Sequence, residues 1–306
     1  MNLFKEEING KKDWERIFQS LPAFMPLIEY ILKKEKLQEA KPEPLTPGTN
    51  FIAKVGDYVI KIYAPEESGY KEELDFQTEI FATSRAHDLG VNVPKIIASG
   101  FVDDKYYFDY LVTEYIEGVE LTDILKKIND TEKISIGRKI RAATDKMNLP
   151  CPAFNKADPV NDESNNWSWD KYPERFKKER LEYIHSYEYG ERVFVHGDLC
   201  SDNVLLTQKG ELYLIDFADA VLAPLIYEHA LVAIELFELD AALLTGYFGE
   251  ATTDEILDIC FNGILIHGYG GEILPWHVGK PHEFQCLDDL RERLREILLY
   301  SPKASF

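Results

Sequence analysis

Cysteine is scarce, with four in 306 residues, and what there is lies scattered. Cys151, Cys200, Cys260 and Cys286 form no CxxC pair, so the spacing offers neither a zinc site nor a redox dithiol. Free thiols in a reducing compartment are the expectation. Long apolar runs are also missing. The most apolar region, residues 218–248, is broken by Asp219, Glu228, His229, Glu235, Glu238 and Asp240. No stretch reaches the roughly 18 to 20 apolar residues that cross a bilayer. The opening MNLFKEEINGKKDWE puts charges where a secretory signal carries its apolar core. These absences predict a cytoplasmic protein with no membrane partner. Basic residues are in deficit: 34 Lys and Arg against 54 Asp and Glu give a formal net charge of -20. Phosphate backbones and anionic lipid would be repelled, which argues against nucleic acid as a partner and suits a cationic ligand.

What is present changes in texture along the chain. Residues 13–36 read as one or two helices interrupted by Pro22 and Pro26. The segment KPEPLTPGTN, residues 41–50, holds three prolines and a glycine and is not helical. Residues 51–55 and 58–63, joined through Gly56-Asp57, predict a β-hairpin. A charged helix is expected over about 70–89, stopped by Gly90, then strands over 93–98 and 106–114. From Leu121 the pattern is mainly helical, with a long polar loop at 158–169. A short strand at 193–195 leads into HGDLCSDN, and 204–207 with 211–215 make a second hairpin around Lys209-Gly210. A strand-rich beginning and a helix-rich remainder predict an α+β chain in two lobes: a small β-rich N-lobe over 1–117 and a larger, mainly helical C-lobe over 118–306.

The chemistry concentrates between His196 and Asp216. Asp198 and Asn203 stand five apart on a loop after a strand, the D-x-x-x-x-N spacing of a kinase catalytic loop. Phosphoryl transfer needs a positioned hydroxyl, a carboxylate to orient it and oxygen ligands for magnesium. Asp198 would accept the hydroxyl proton, and Asn203 would ligate the metal. Asp216 ends a strand in LIDF, where a second metal ligand is expected; magnesium keeps some waters, so one Asp, one Asn and nucleotide phosphates suffice. Each residue alone is accounted for by a turn or a strand end. The ordered set of strand, HGD, x4-Asn, hairpin and Asp-Phe is not.

HGDLCSDNVLL and LIDFADA resemble the aminoglycoside phosphotransferase and choline kinase-like branch of the protein-kinase-like superfamily, from about Leu45 to the C-terminal helices. The resemblance implies a bilobal kinase-like fold, ATP or GTP as co-substrate with Mg2+, and a small hydroxylated acceptor. It implies that Lys61 in YVIKIY contacts the α- and β-phosphates, and that a helix carboxylate holds it: Glu79 in FQTEIF, with Glu72 and Glu73 as rivals. Gly48, Thr49 and Asn50 take the place of the nucleotide-covering loop, though with one glycine where several are usual. Backbone groups near Glu114 and Ile116 take the place of the lobe linker that pairs with the purine. After IDFADA the chain departs from the family pattern: Pro224 stands where an aspartate is usual, and Glu228 replaces the later carboxylate. A histidine-rich segment before the long loop is also absent, since Met147-Asn148-Leu149 offers none.

The acceptor is expected in the helical lobe, received by Asp158, Asp162, Glu163 and residues near Glu228, with an aminoglycoside or other amino-sugar leading over choline-like alcohols and sugars. Trp167, Trp169 and Trp276 are pocket candidates, although aromatic packing accounts for them as well. Two rivals remain in view. One is a kinase-like protein that binds nucleotide without turnover. The other is an iron oxygenase built from His196, Asp198 and one of His229, His267 or His277; it leaves Lys61, Asn203 and Asp216 without roles.

Overall fold

The computed structural model describes residues 2–70 and 75–300. The chain forms two compact units, Met1–Asp88 with Val93–Glu117, and Leu89–Asn92 with Gly118–Phe306.

The first unit opens with helices α1 (Lys11–Ile17) and α2 (Leu21–Glu35). Pro22 lies in the first turn of α2, where a missing N–H has no helical partner to lose, while Pro26 is carried inside the helix. The interruption thus falls between the helices, ahead of both prolines. A five-stranded antiparallel sheet follows, in the order β1 (Pro42–Pro44), β2 (Phe51–Val55), β3 (Tyr58–Ile62), β5 (Tyr107–Glu114), β4 (Ile96–Asp103). Helix α3 (Asp75–Asp88) comes between β3 and β4. The proline-rich segment contributes β1, which the composition did not announce; two prolines fit there because the strand lies on the sheet edge. β4 starts later and runs further than its composition suggests. Ser99-Gly100 looks like a turn, but pairing of Gly100 with Tyr110 carries the strand through to Asp103.

Aromatic rings build this unit's core. Phe24 of α2 stacks on Phe51 of β2 at 4.2 Å, and Phe4 packs against both Phe24 and Phe108. Full burial of one such side chain stabilises by about 1.5–3 kcal/mol. The N-terminal segment is pinned as well: the amides of Leu3 and Phe4 donate to Asp104 Oδ2 at 2.9 and 2.8 Å.

The second unit contains β6 (Gly118–Glu120), the short α4 (Leu121–Ile124), and α5 (Asp130–Met147), which starts at a capping box of Asn129 and Glu132. Then come α6 (Glu174–Ser186), β7 (Arg192–Val195), β8 (Val204–Thr207), β9 (Leu212–Leu214) and β10 (Val221–Pro224). Helices α7 (Leu225–Leu231), α8 (Ala241–Phe248), α9 (Thr253–Ile266), α10 (Gly270–His277) and α11 (Leu287–Tyr300) complete it. Two small antiparallel sheets, β6-β8-β9 and β7-β10, frame the loop after β7. Strand β10 was hidden in the sequence because its pairing partner, β7, lies well upstream. The polar loop at 158–169 winds into a 3-10 helix at Glu163–Trp169. Helix α7 passes into a π-helical turn at Val232–Leu236, after which Glu238 and Leu239 adopt left-handed φ values of 48° and 57°.

Helix α9 lies against α7 closely enough that a Cβ on Gly263 would meet Ile226 O at 2.1 Å. Only glycine allows that approach, which carries the C-terminal end of α9, and His267 with it, to the loop after β7. Among the described residues, no helix is long and apolar enough to cross a membrane.

Candidate active site

β7 delivers the chain into His196-Gly197-Asp198, and almost every backbone group of this turn is gripped from elsewhere in the fold. Gly197 has φ of +84°, and a Cβ there would lie 2.0 Å from Asp219 O, so the position admits glycine alone. The amides of His196 and Gly197 donate to the two oxygens of Glu228, at 3.0 and 3.2 Å. Glu228, on α7, is fully buried, and that burial pushes its carboxyl up to about 7 against the pull of the two amides. The carbonyl of Gly197 receives a hydrogen bond from His267 Nε2 at 3.2 Å. His267 Nδ1 accepts from the amide of Tyr269 at 3.2 Å, which leaves the proton on Nε2 and makes that nitrogen the donor.

His196 works by the same logic. Its Nδ1 accepts from the amide of Asp198 at 3.3 Å, and its Nε2 donates to Ile215 O at 2.9 Å. Burial pushes both imidazoles down to about 4, so they are neutral braces. The Ile215 amide in turn donates to Asn203 O at 3.0 Å. The loop and the end of the β9 segment are therefore stitched together immediately before Asp216, which turns away with φ of +61°.

Asn203 Nδ2 donates to both Asp198 O at 2.8 Å and Asp198 Oδ2 at 3.0 Å. Its amide oxygen is left as its remaining acceptor. Asp198 is half-buried, and its carboxyl is pushed up to about 8 by burial first, then by Asp219, Glu235 and Asp216; the Asn203 hydrogen bond opposes this. Asp216, Asp219 and Asp202 are exposed, while Glu235 is half-buried on the π-helical turn. Glu235 is itself pushed up to about 7, by burial and then by Asp202. A divalent cation would relieve such crowding of carboxylates. Asn203 and Asp216 present hard oxygen donors of the kind magnesium takes, so the residues present fit that ion with phosphate oxygens and water completing its shell.

In the first unit, Lys61 Nζ meets Glu79 Oε2 at 2.8 Å, and both residues are buried. Glu72 and Glu73 lie outside the described residues. Gly48 and Thr49 are exposed. The carbonyl of Thr49 accepts from Trp14 Nε1 at 2.8 Å, and the side chain of Asn50 accepts from the amide of Ala64 at 2.9 Å. The amide of Glu114 is committed to Lys95 O at 2.9 Å, and its side chain accepts from the amide of Lys95 at 3.0 Å. Glu114 can therefore offer a base its carbonyl but not its N–H. Ile116 is half-buried in the segment that follows β5.

Several of the carboxylates expected on the acceptor side already have partners within the protein. Asp158 pairs with Arg192 at 2.7 Å, Asp162 caps the amide of Ser164, and Glu228 is buried against the catalytic turn. Their carboxylates are engaged in structure. Glu163 lies exposed at the start of the 3-10 helix. Trp169 is core, stacked on Phe176 with the Arg180 guanidinium 4.6 Å from its ring centroid. Trp276 is 82% exposed. Trp167, half exposed, packs edge-on against Tyr269. The iron-triad reading fails at His267, whose two nitrogens are both taken by backbone groups. His229 packs against Tyr247 and Phe248 instead.

Sequence reasoning missed Asp219 and Glu235 as acids around Asp198, Asp202 as the acid beside Glu235, and His267 as a brace. Only Asp202, inside the HGDLCSDN loop, carried a spacing signal.

This set of a braced Asp198, a partnered Asn203 and a crowded Asp216 belongs to a chain whose sequence matches the phosphotransferase enzyme family (APH) over residues 49–256, and the protein is a member of that family. A comparison with curated proteins gives no match. Among solved structures, the choline kinase LicA from Streptococcus pneumoniae is 17% identical, with a TM-score of 0.54 over 90% of this chain and 99% of that one. The choline/ethanolamine kinase family protein from Mesorhizobium loti is 17% identical, with a TM-score of 0.53 over 86% and 89%. Aminoglycoside 2'-phosphotransferase-IIIa, solved with GDP, is 15% identical, with a TM-score of 0.55 over 90% and 98%. At such identities the likeness is one of fold: the protein-kinase-like arrangement of a small antiparallel sheet unit and a mainly helical one.

Proposed function

We propose that this phosphotransferase moves the γ-phosphate of ATP or GTP to a hydroxyl of a small amine-bearing acceptor. The observation that carries the reading is the setting of Asp198: a carboxylate on a fully braced turn, held by Asn203 and raised in proton affinity by burial and by three neighbouring acids. Such a group suits the proton of an acceptor hydroxyl as the oxygen attacks phosphorus. Asn203, through its amide oxygen, and Asp216 would hold magnesium, which supplies charge neutralisation on the phosphates when bound. Lys61, fixed by Glu79, would contact the α- and β-phosphates. Glu114 would offer its carbonyl and Ile116 its amide to the purine edge, with the backbone at Gly48, Thr49 and Asn50 covering the phosphates. The residues up to 117 would form the nucleotide-binding lobe, and those from 118 the catalytic and acceptor lobe.

An amine on the acceptor is supported by Asp219 and Glu235 near Asp198 and by Asp202 beside Glu235, a crowding that favours a neighbouring cation. Relatives of this fold include one solved with GDP and kanamycin and one with ADP and hygromycin B, alongside choline kinases. A hydroxyl on a molecule carrying cationic nitrogen is common to those acceptors. The test is nucleotide consumption with Mg2+ against a panel of hydroxylated amines, amino-sugars and neutral sugars, with ATP and GTP compared. Turnover confined to amine-bearing members is expected. No turnover with any acceptor, together with no nucleotide-induced thermal shift, would sink the proposal.

A further inference from the structure

Lys61 and Glu79 are not alone in their hydrogen bond. Tyr63 stands two residues after Lys61, on the same face of the extended chain, because side chains alternate along a strand. The strand geometry persists that far: the amide of Tyr63 donates to Asp109 O at 2.9 Å, continuing the pairing of β3 with β5. The Tyr63 hydroxyl donates to Glu79 Oε2, the same oxygen that receives Lys61 Nζ. Its ring packs edge-on against Phe76 at 5.2 Å, and Phe76 precedes Glu79 by one turn of α3. The Lys61 ammonium lies 5.3 Å from the centre of the same ring. Tyr63 is 4% exposed. One tyrosine thus touches the helix that carries the carboxylate, the carboxylate itself and the ammonium.

A lysine that binds phosphate must share its three hydrogens between the nucleotide and its own anchor. A buried carboxylate that loses a donor is costly, because no water is at hand to replace it. A second donor that never leaves removes that conflict. We infer that Tyr63 is a positioning residue for the nucleotide site: its hydroxyl holds the Glu79 carboxylate in place, so that Lys61 can turn toward phosphate without stranding its anchor. The inference rests on the reading of Lys61 as the phosphate-binding lysine. The adjacent residue extends the arrangement, since the amide of Ala64 holds the side chain of Asn50 at 2.9 Å. The run from Lys61 to Ala64 therefore ties α3 and the segment before β2 to one strand end.

The test is a set of nucleotide-binding and steady-state measurements on full-length Tyr63→Phe, Glu79→Gln, the double variant and Lys61→Met. Phenylalanine keeps the packing against Phe76 and removes only the hydroxyl, so the thermal midpoint serves as the folding control. Tyr63→Phe is expected to weaken nucleotide binding and raise the nucleotide KM about ten-fold, with the acceptor KM unchanged. In the Glu79→Gln background the same substitution should change the nucleotide KM less than two-fold, because its effect acts through that carboxylate. If Lys61→Met and Glu79→Gln weaken nucleotide binding while Tyr63→Phe does not, the role of Tyr63 is overturned alone. An undiminished effect of Tyr63→Phe in the Glu79→Gln background overturns it too. If Lys61→Met leaves nucleotide affinity intact, the phosphate-site reading fails, and the inference fails with it.

Discussion

In the first unit a buried lysine meets a buried glutamate, Lys61 to Glu79 at 2.8 Å, whereas in the second Asp198 faces Asp219, Glu235 and Asp216. The first arrangement balances its charges within the protein. The second concentrates charge of one sign on the exposed side of a turn and holds the backbone beneath with neutral groups, His196 and His267, and with the two-amide grip of Glu228. The difference suits the two tasks proposed for these residues. A lysine that is already paired can be aimed at an anion with little rearrangement, while a surplus of carboxylates suits cations brought by the substrates.

The comparison is most directly broken at Asp198. Asp198→Asn keeps the shape and removes the proposed proton acceptor, so on that proposal turnover should fall by about 10²–10⁴-fold while nucleotide affinity stays nearly unchanged. Steady-state rates alongside nucleotide titrations check this, and surviving turnover would remove Asp198 from its role. Lys61→Met attacks the balanced side. It breaks the buried ion pair and leaves the Glu79 carboxylate to the Tyr63 hydroxyl, so stability should fall by about 1–3 kcal/mol, less than for a carboxylate with no donor left, read by denaturant unfolding. The double variant Lys61→Met with Glu79→Gln should recover a large part of that loss, and equal destabilisation of the two would contradict the pairing argument.

The smallest expected effect concerns pH. Burial holds His267 down at about 4, below its ordinary 6.5, so the folded protein binds fewer protons than the unfolded chain between those values. Stability from this residue is full above pH 6.5 and declines as pH falls toward 4. Glu228 and Glu235, pushed up to about 7, act with the opposite sign over an overlapping range, so the informative quantity is the difference between parent and variant. Relative to His267→Gln, the parent should lose about 1.4 kcal/mol per pH unit between 6.5 and 4. Unfolding curves at several pH values measure this difference, and superimposable profiles would show that His267 is not held neutral.

Local patterns in the sequence carried a good part of this picture. The hairpin of β2 and β3, the strand ahead of the HGD turn and the β8–β9 hairpin all announce themselves through alternation and turn residues. Asp198 and Asn203 touch, at the spacing that marked them, because five residues span one tight loop. Glu79 came from the family resemblance, with helix register leaving Glu72 and Glu73 open, and among the described glutamates it is the one that meets Lys61. The contributions of Glu228 and His267 were not legible. They grip the turn from 31 and 70 residues beyond Gly197, and such contacts obey packing rather than spacing. The structural engagement of two of the acids expected to receive the acceptor was hidden for a related reason. Asp158 and Asp162 have the composition of a binding loop, but their partners, Arg192 and the amide of Ser164, are visible only in three dimensions.

The π-helical turn at Val232–Leu236 has a consequence for how the chain tolerates insertion and deletion. Such a turn contains one residue more than the α-helical register calls for. Removing a single residue ahead of Glu235 would let this last turn close as an ordinary α-helix and swing the Glu235 side chain about 100° around the axis, away from its bearing on the HGD loop. Helix α8 starts afresh at Ala241, beyond the left-handed Glu238 and Leu239, so its packing does not follow the phase of that turn. The extra residue thus sets where one carboxylate points, which makes this short stretch intolerant of length change even where individual substitutions are accepted.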